Sequence, residues 1–213
     1  MSERKGPEPF LLPEGRLINH SLFVKDAFDD AATPGYKVEL AFDPDDLPDV
    51  EDALAAAAVE KWGAGSDEDY WEERILSPII DGNELARRRE EKKKPGDSYK
   101  GKQVIRAHTI FNIHGADGPG GVQVLGPDKT PIEAIMSHEV YPGCYGQAVV
   151  KIGNYVDSRS GKKALMFYLC AFQKTKDGEP LVSASDYTEL FRPVGRDTAE
   201  GAAATGGRRR RKG

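Results

Sequence analysis

Hydrophobic and polar residues alternate with a period of two in several short segments of the chain. The clearest is 36–42 (YKVELAF), where apolar side chains at the even positions alternate with lysine, glutamate and alanine. This period is typical of a strand that buries one face. A hairpin is predicted from strands 145–156 and 163–174, joined by the turn sequence DSRSG. Further strands are predicted over 16–23, 103–113 and 122–125.

Helical signals occur between these strands. The segment ALAAAAVEK follows Asp49, whose side chain suits an N-cap, and the helix is expected to end near Trp62, before Gly63. A second, shorter helix is predicted over 66–76 and is closed by Pro78. Strands outnumber helices and no βαβ alternation is present. The predicted fold class is therefore mainly β with an inserted helix, arranged as an antiparallel barrel or sandwich.

Polar segments divide the chain into regions. Residues 1–15 are rich in proline and glycine and are expected to form a flexible lead-in. A single domain is predicted over 16–194. Within it, 81–102 is interpreted as a long basic insertion, too polar for a core and partly helical at most. Residues 195–213 are of low complexity and are predicted to be a disordered basic tail.

Charge is strongly segregated along the 213 residues, although the formal net charge is only −5. Residues 29–73 contain 15 acidic and 2 basic side chains, whereas 87–106 contain 9 basic and 3 acidic ones. Residues 196–213 add 6 basic and 2 acidic side chains. Such asymmetry is typical of a protein with one side facing a polyanion, but each run is also explained as solvated surface.

Composition argues against membrane and secreted classes. No run approaches the roughly 18 consecutive apolar residues of a membrane span, and the first residues lack the apolar core of a secretory signal. The two cysteines are too few for a disulfide framework. A cytoplasmic protein with free thiols is therefore expected.

Signals for catalysis and metal binding are weak. The histidines and cysteines lack the close spacing of structural zinc ligands. The glycine-rich sequence GADGPGG lacks the Lys-Ser/Thr that follows a phosphate-binding loop. We therefore expect no enzyme activity, no cofactor and no metal site. The residues weighed for such a site are His20, His108, His114, His138, Cys144 and Cys170.

Nucleic-acid binding fits the remaining pattern, because single-strand binders combine cations for phosphates with aromatic faces for base stacking. One face of the predicted strand 145–156 carries two tyrosines and a lysine. An ordinary exposed strand whose tyrosines cover a neighbour explains the same pattern. Both faces of 163–174 are apolar, so the face that lines a groove is left open. The candidate DNA-binding residues are Tyr145, Gln147, Lys151, Tyr155, Arg106, His108, Tyr99, Lys100, Lys102, Tyr168 and Lys174.

The order of motifs resembles a family of phage-encoded single-stranded-DNA-binding proteins with an OB fold, long catalogued as a domain of unknown function. The resemblance covers roughly residues 16–192. It implies an OB-fold-like barrel that binds single strands without sequence preference in phage DNA replication or recombination. The motifs are PIIDGNE at 78–84, YKG at 99–101, EVYPGCY at 139–145, and FQK at 172–174 followed by DGE at 177–179.

Two features depart from that pattern: the basic run RRRRK at 208–212, where many single-strand binders end in an acidic tail, and the long basic insertion at 87–94. The expected partner is single-stranded DNA, with weaker double-stranded binding, and phage or host replication proteins are further candidates. No membrane partner is expected, and self-association is left open. The alternatives are an adaptor barrel that binds protein partners and an enzyme that uses the histidines and cysteines. A salt titration of oligonucleotide binding separates the adaptor from a DNA binder.

Overall fold

Strands contribute more residues than helices to the part of the chain that the structure describes. The computed structural model describes residues 8–26, 33–63, 75–110, 122–158 and 160–181. The two α-helices in these ranges are α1 (Pro48–Trp62) and α2 (Gly82–Glu91). The strands are β1 (Pro9–Leu11), β2 (Gly15–Asp26), β3 (Gly35–Phe42), β4 (Ile75–Leu76), β5 (Ile79–Asp81), β6 (Gln103–Thr109), β7 (Gln123–Leu125), β8 (Tyr145–Val156) and β9 (Lys163–Lys176).

These strands form one mixed sheet in which five of them pair in a closed order. Strand β2 pairs with β3, β3 with β6, β6 with β9 and β9 with β8, and β8 pairs again with β2. The predicted hairpin is confirmed by the antiparallel pairing of β8 with β9. Strand β1 lies against β8, although residues 9–11 were expected to belong to a flexible lead-in.

The expectation of an entirely antiparallel arrangement is wrong. Strand β9 runs parallel to β4, β6 and β7. Parallel neighbours need a long connection, and the chain between β6 and β9 supplies one by passing through β7 and β8. Periodicity identifies which side chains share a face, but it carries no information about the direction of the neighbouring strand.

The main core lies between the strands of this closed order and α1. Leu40, Phe42, Ile105 and Phe167 are among its fully buried members. Strand β3 was predicted to bury one face, but all eight of its residues are buried. Lys37 and Glu39 each expose only 2% of their surface, so the polar face of this strand is covered as well.

Helix α1 caps this core with its buried residues Val50, Leu54 and Ala58. Its predicted N-cap at Asp49 is wrong: the cap residue is Leu47 and the helix begins at Pro48. Proline suits the first helical position because its fixed φ is helical and no N–H is needed there. Gly63 ends the helix in the left-handed conformation, as predicted, with φ of 60°.

The basic insertion is folded, contrary to the expectation that 81–102 is too polar for a core. Helix α2 is capped by Asp81, whose carboxylate accepts the backbone N–H of Asn83 at 2.8 Å. A 3-10 turn follows at Asp97–Tyr99. A second core forms where this insertion packs on the sheet, and its buried members are Ile18, Ala41, Leu85, Ala86, Tyr99 and Val104.

Several predictions fall partly or wholly outside the described residues. The second predicted helix is one, because 64–74 are not described and Ile75–Leu76 form β4. Strand β6 ends at Thr109, and 111–113 of the predicted strand are not described. The predicted tail also lies outside them. Neither described helix is long and apolar enough to cross a membrane.

Candidate nucleic-acid interface

One row of side chains crosses four strands on the sheet face opposite the main core. Across the pairs, Lys37 of β3 faces His108 of β6, His108 faces Tyr168 of β9, and Tyr168 faces Lys151 of β8. Directly opposed residues in paired strands lie on the same face with their side chains in reach of one another. The row therefore gathers Lys151, Tyr168 and His108, three candidates that came from three different strands.

Tyr168 is the exposed aromatic residue of this row, with 38% of its surface accessible. Its ring lies against the backbone of Gly153: a Cβ atom at that glycine would fall 2.2 Å from Cε2 of the ring. The absence of a side chain at Gly153 leaves room for the ring against the sheet. The exposed part of the ring is available to a stacking partner. Gly153 was missed in the sequence, where a glycine within a strand is the available signal.

A bulge in β9 decides which of its faces is exposed. The pairing with β8 shifts register between Val149 and Val150, which leaves Cys170 unpaired. On one side of the bulge, Leu165, Phe167 and Leu169 are buried and Tyr168 is exposed. Beyond it, the buried positions are Phe172 and Lys174. An extra residue inverts the alternation.

Lys174 therefore does not lie with the exposed candidates. It exposes 8% of its surface, and its ammonium donates to the backbone oxygen of Glu139 at 2.8 Å. It also pairs with Asp177 at 2.7 Å and lies 5.3 Å from the ring centroid of Tyr141. Lys174 thus stabilises the turn after β9 through these contacts. Its burial follows from the bulge and separates it from the exposed DNA-binding candidates.

Tyr99 is also corrected, because it exposes only 1% of its surface and offers no ring face to a base. Its hydroxyl donates to Glu39 Oε2 at 2.8 Å, and the Arg89 guanidinium lies 5.1 Å from its ring centroid. Burial and the nearby Glu39 carboxylate raise the pKa of the Tyr99 phenol. Tyr99 therefore joins the insertion to β3.

Arg106 shares that buried carboxylate. Its Nε donates to Glu39 Oε1 at 2.6 Å, with the arginine side chain 35% exposed and that of Glu39 3% exposed. A buried carboxylate held from two sides fixes the direction in which the arginine side chain leaves the sheet. Glu39 was missed as a functional residue; the signal was a lone glutamate within the apolar alternation of 36–42.

A cleft of about 400 Å³ adjoins Arg106 and His108. Its lining includes Tyr155 and Met166, and Tyr155 exposes 45% of its surface. Burial lowers the pKa of His108 below its ordinary value. A hydrogen bond with the backbone of Thr33 acts in the opposite direction, and His108 contributes its ring to this face.

The remaining candidates lie apart from the row. Lys100 pairs with Glu90 at 2.9 Å and Asp97 at 2.8 Å, and Lys102 pairs with Asp43 at 2.6 Å. Tyr145 lies under the Lys176 ammonium, which is 4.6 Å from its ring centroid. Gln147 faces Gln173 in the hairpin. Lys151 lies six positions after Tyr145 along β8, about 20 Å at the rise of an extended strand.

An exposed tyrosine between a lysine and a histidine, on a mixed sheet, is an arrangement suited to single-stranded nucleic acid. The sequence profile of the family described as the single-stranded-DNA-binding protein of Enterobacter phage Enc34 matches residues 11–202. The chain belongs to this family, and the resemblance noted in the sequence is confirmed.

Solved structures with a similar fold include single-stranded-DNA-binding proteins of two phages. The bacteriophage Enc34 single-stranded-DNA-binding protein in complex with ssDNA is 16% identical, with a TM-score of 0.57 over 85% of this chain and 100% of that one. Its C-terminal truncation is 17% identical, with a TM-score of 0.56 over 84% and 99%. The gp2.5 protein of bacteriophage T7, a single-stranded DNA binding protein, is 12% identical, with a TM-score of 0.54 over 94% and 100%. No curated protein sequence matches significantly.

Proposed function

We propose that this protein binds single-stranded DNA without sequence preference and acts in phage DNA replication or recombination. Membership of the Enc34 family supports the function. The observation that carries the proposal to named residues is the position of Tyr168, exposed and flanked in register by Lys151 and His108. Aromatic stacking is tolerant of base identity because every base has a π face.

The five strands that pair in a closed order are proposed to form an OB barrel. Such a barrel is a five-stranded Greek-key arrangement that commonly binds oligonucleotides on the face of its second and third strands. Here those strands correspond to β3 and β6. The insertion packs on their outer side through Ala41 and Val104. Because the insertion covers part of the outer side of β3 and β6, we place the proposed DNA-binding path over β6, β9 and β8, where Tyr168 lies.

The proposed mechanism is binding without a covalent step, a cofactor or a metal. A base stacks on Tyr168, and the phosphates on either side of it contact Lys151 and Arg106. Arg106 is held in place by Glu39, so part of the ordering cost is met before DNA arrives. Tyr155, His108, Tyr145, Gln147, Lys100 and Lys102 remain proposed DNA contacts, the last four of them away from the row that contains Tyr168.

Anisotropy titrations of labelled single- and double-stranded oligonucleotides of equal length test this proposal. We expect tighter binding to the single strand and a logarithmic affinity that falls linearly with the logarithm of salt concentration. Lys151→Ala should reduce the magnitude of that slope by about 0.7, the value for one phosphate contact on a single strand. Lys92→Ala removes the same charge from an exposed position on the insertion and is the matched control.

Three results would contradict the proposal in different ways. Equal slopes for Lys151→Ala and the parent chain would remove Lys151 from the path. Equal losses for Lys151→Ala and Lys92→Ala would show that only overall charge matters. Absence of single-strand binding would favour the adaptor protein, and a search for protein partners would follow.

A further inference from the structure

A groove with a volume of about 930 Å³ lies between α1, β1 and the far halves of β8 and β9. Tyr168 forms part of its wall, together with Pro9 and Phe10 of β1 and with Gly153 and Asn154 of β8. The same tyrosine belongs to the row with Lys151 and His108. The groove is therefore continuous with the proposed DNA-binding face.

Three of the five residues that α1 contributes to the lining are alanines. Ala53, Ala56 and Ala57 line the groove, spaced so that they share one helical face. Methyl groups at these positions leave open the space that larger residues would fill. The volume of the groove lies within the range of roughly 300–1,000 Å³ that pockets for small organic ligands span.

We propose that this groove takes an unpaired base of the bound strand, placed between Tyr168 and the alanine face of α1. The inference rests on the proposed function. The lining favours a base over the phosphate backbone, because alanine methyl groups and the Tyr168 ring suit the apolar face of a base. Lys61 is the only cation among the residues that line the groove, so the phosphates remain near Lys151 outside it.

The test fills the groove from the helix side. Ala56 is exposed and lines the groove, so Ala56→Leu adds bulk there without disturbing the core. Ala55→Leu is the matched control: it makes the same change one residue earlier, at a position that does not line the groove. Both changes leave helix propensity nearly the same. Melting temperatures of the two variants verify that each is folded.

We expect Ala56→Leu to weaken binding of a mixed-sequence single strand about tenfold, the size of one lost base stack, and Ala55→Leu to bind like the parent. A strand of equal length made of abasic nucleotides supplies the second arm. Ala56→Leu and the parent should bind this abasic strand equally, because it has no base that could occupy the groove.

Other outcomes overturn the inference. If Ala56→Leu and Ala55→Leu bind the mixed-sequence strand equally, no part of the DNA occupies the groove. If Ala56→Leu weakens the abasic strand as much, the backbone and not a base lies there. If the parent chain itself binds no single strand, the proposed function fails, and this inference fails with it.

Discussion

At the residue scale, substitution of Tyr168 tests whether bases stack on its exposed ring. Tyr168→Ala should weaken single-strand binding by about 1–3 kcal/mol, the effect of removing one aromatic stack. The fold should persist, because the ring lies on the surface against Gly153. Anisotropy with a single-stranded oligonucleotide measures the effect. Tyr168→Phe keeps the ring and should bind like the parent; a folded alanine variant with parental affinity would place the platform elsewhere.

His20 makes stability depend on pH. Its Nε2 lies 3.0 Å from the backbone oxygen of Val140, and burial lowers the pKa of its imidazole below the ordinary value. The unfolded chain therefore binds a proton more readily than the folded one. The contribution of neutral His20 to the free energy of unfolding is fully present above the unfolded pKa of about 6.5. It is lost as the pH falls from there through the lower pKa of the folded state. His108 acts in the same direction because burial lowers its pKa too.

Urea unfolding at pH 7.5 and 5.5 measures this effect. We expect the parent chain to lose stability at the lower pH, and His20→Gln to lose less. His138 is exposed, so His138→Gln is the control and should keep the parental pH dependence. A parental pH dependence in His20→Gln would show that His20 is not the source.

At the scale of elements, the insertion is joined to the sheet by the Tyr99–Glu39 hydrogen bond and the second core. Tyr99→Phe removes the hydroxyl that donates to the buried carboxylate. We expect a loss of about 1.5–3 kcal/mol in the free energy of unfolding, as for other hydrogen bonds to charged groups. Urea denaturation measures it.

Arg88→Ala provides the comparison for that variant. It breaks the exposed pair with Glu84 within α2, and such a pair contributes about 0.3–0.5 kcal/mol. Equal effects of Tyr99→Phe and Arg88→Ala would show that Glu39 does not depend on the insertion. A selective weakening of DNA binding by Tyr99→Phe would show that the insertion also orients Arg106.

The sequence predicts some elements well because their patterns are local. Period two places β3 within one residue of Gly35–Phe42 and places both strands of the β8–β9 hairpin. It fails where distant residues decide the outcome. The bulge at Cys170 sets the direction of Tyr168 and Lys174, and the burial of Tyr99 depends on Glu39, 60 residues away. Neither the bulge nor the contact with Glu39 can be identified from the local sequence pattern.

At the scale of the whole molecule, segregated charge allows a chain with a formal net charge of −5 to attract a polyanion. The five cations at 208–212 should add an attraction that depends on the charge of the phosphates and not on the bases. Deleting 195–213 is expected to lower affinity most at low salt, equally for single- and double-stranded DNA, with the melting temperature nearly unchanged.

Titrations of the 1–194 fragment at two salt concentrations measure this. Affinity equal to that of the full chain at low salt would contradict attraction by these cations. It would favour the alternative in which they pair with the acidic stretch 29–73, and sedimentation would then show whether self-association changes.

The place of β9 in the closed order of strands has a consequence for the nascent chain. Strand β9 is the last described strand, yet it pairs with β4, β6, β7 and β8. At translation rates of about 5–20 residues per second, several seconds pass between the synthesis of β6 and that of β9. During that interval the residues of β2 that pair with β8 and those of β6 that pair with β9 have no strand partner on that side, and unpaired strand edges promote aggregation. Such long-range pairing also makes folding slow, on the scale of milliseconds to seconds, so a ribosome stalled before β8 would release a chain that cannot complete its sheet.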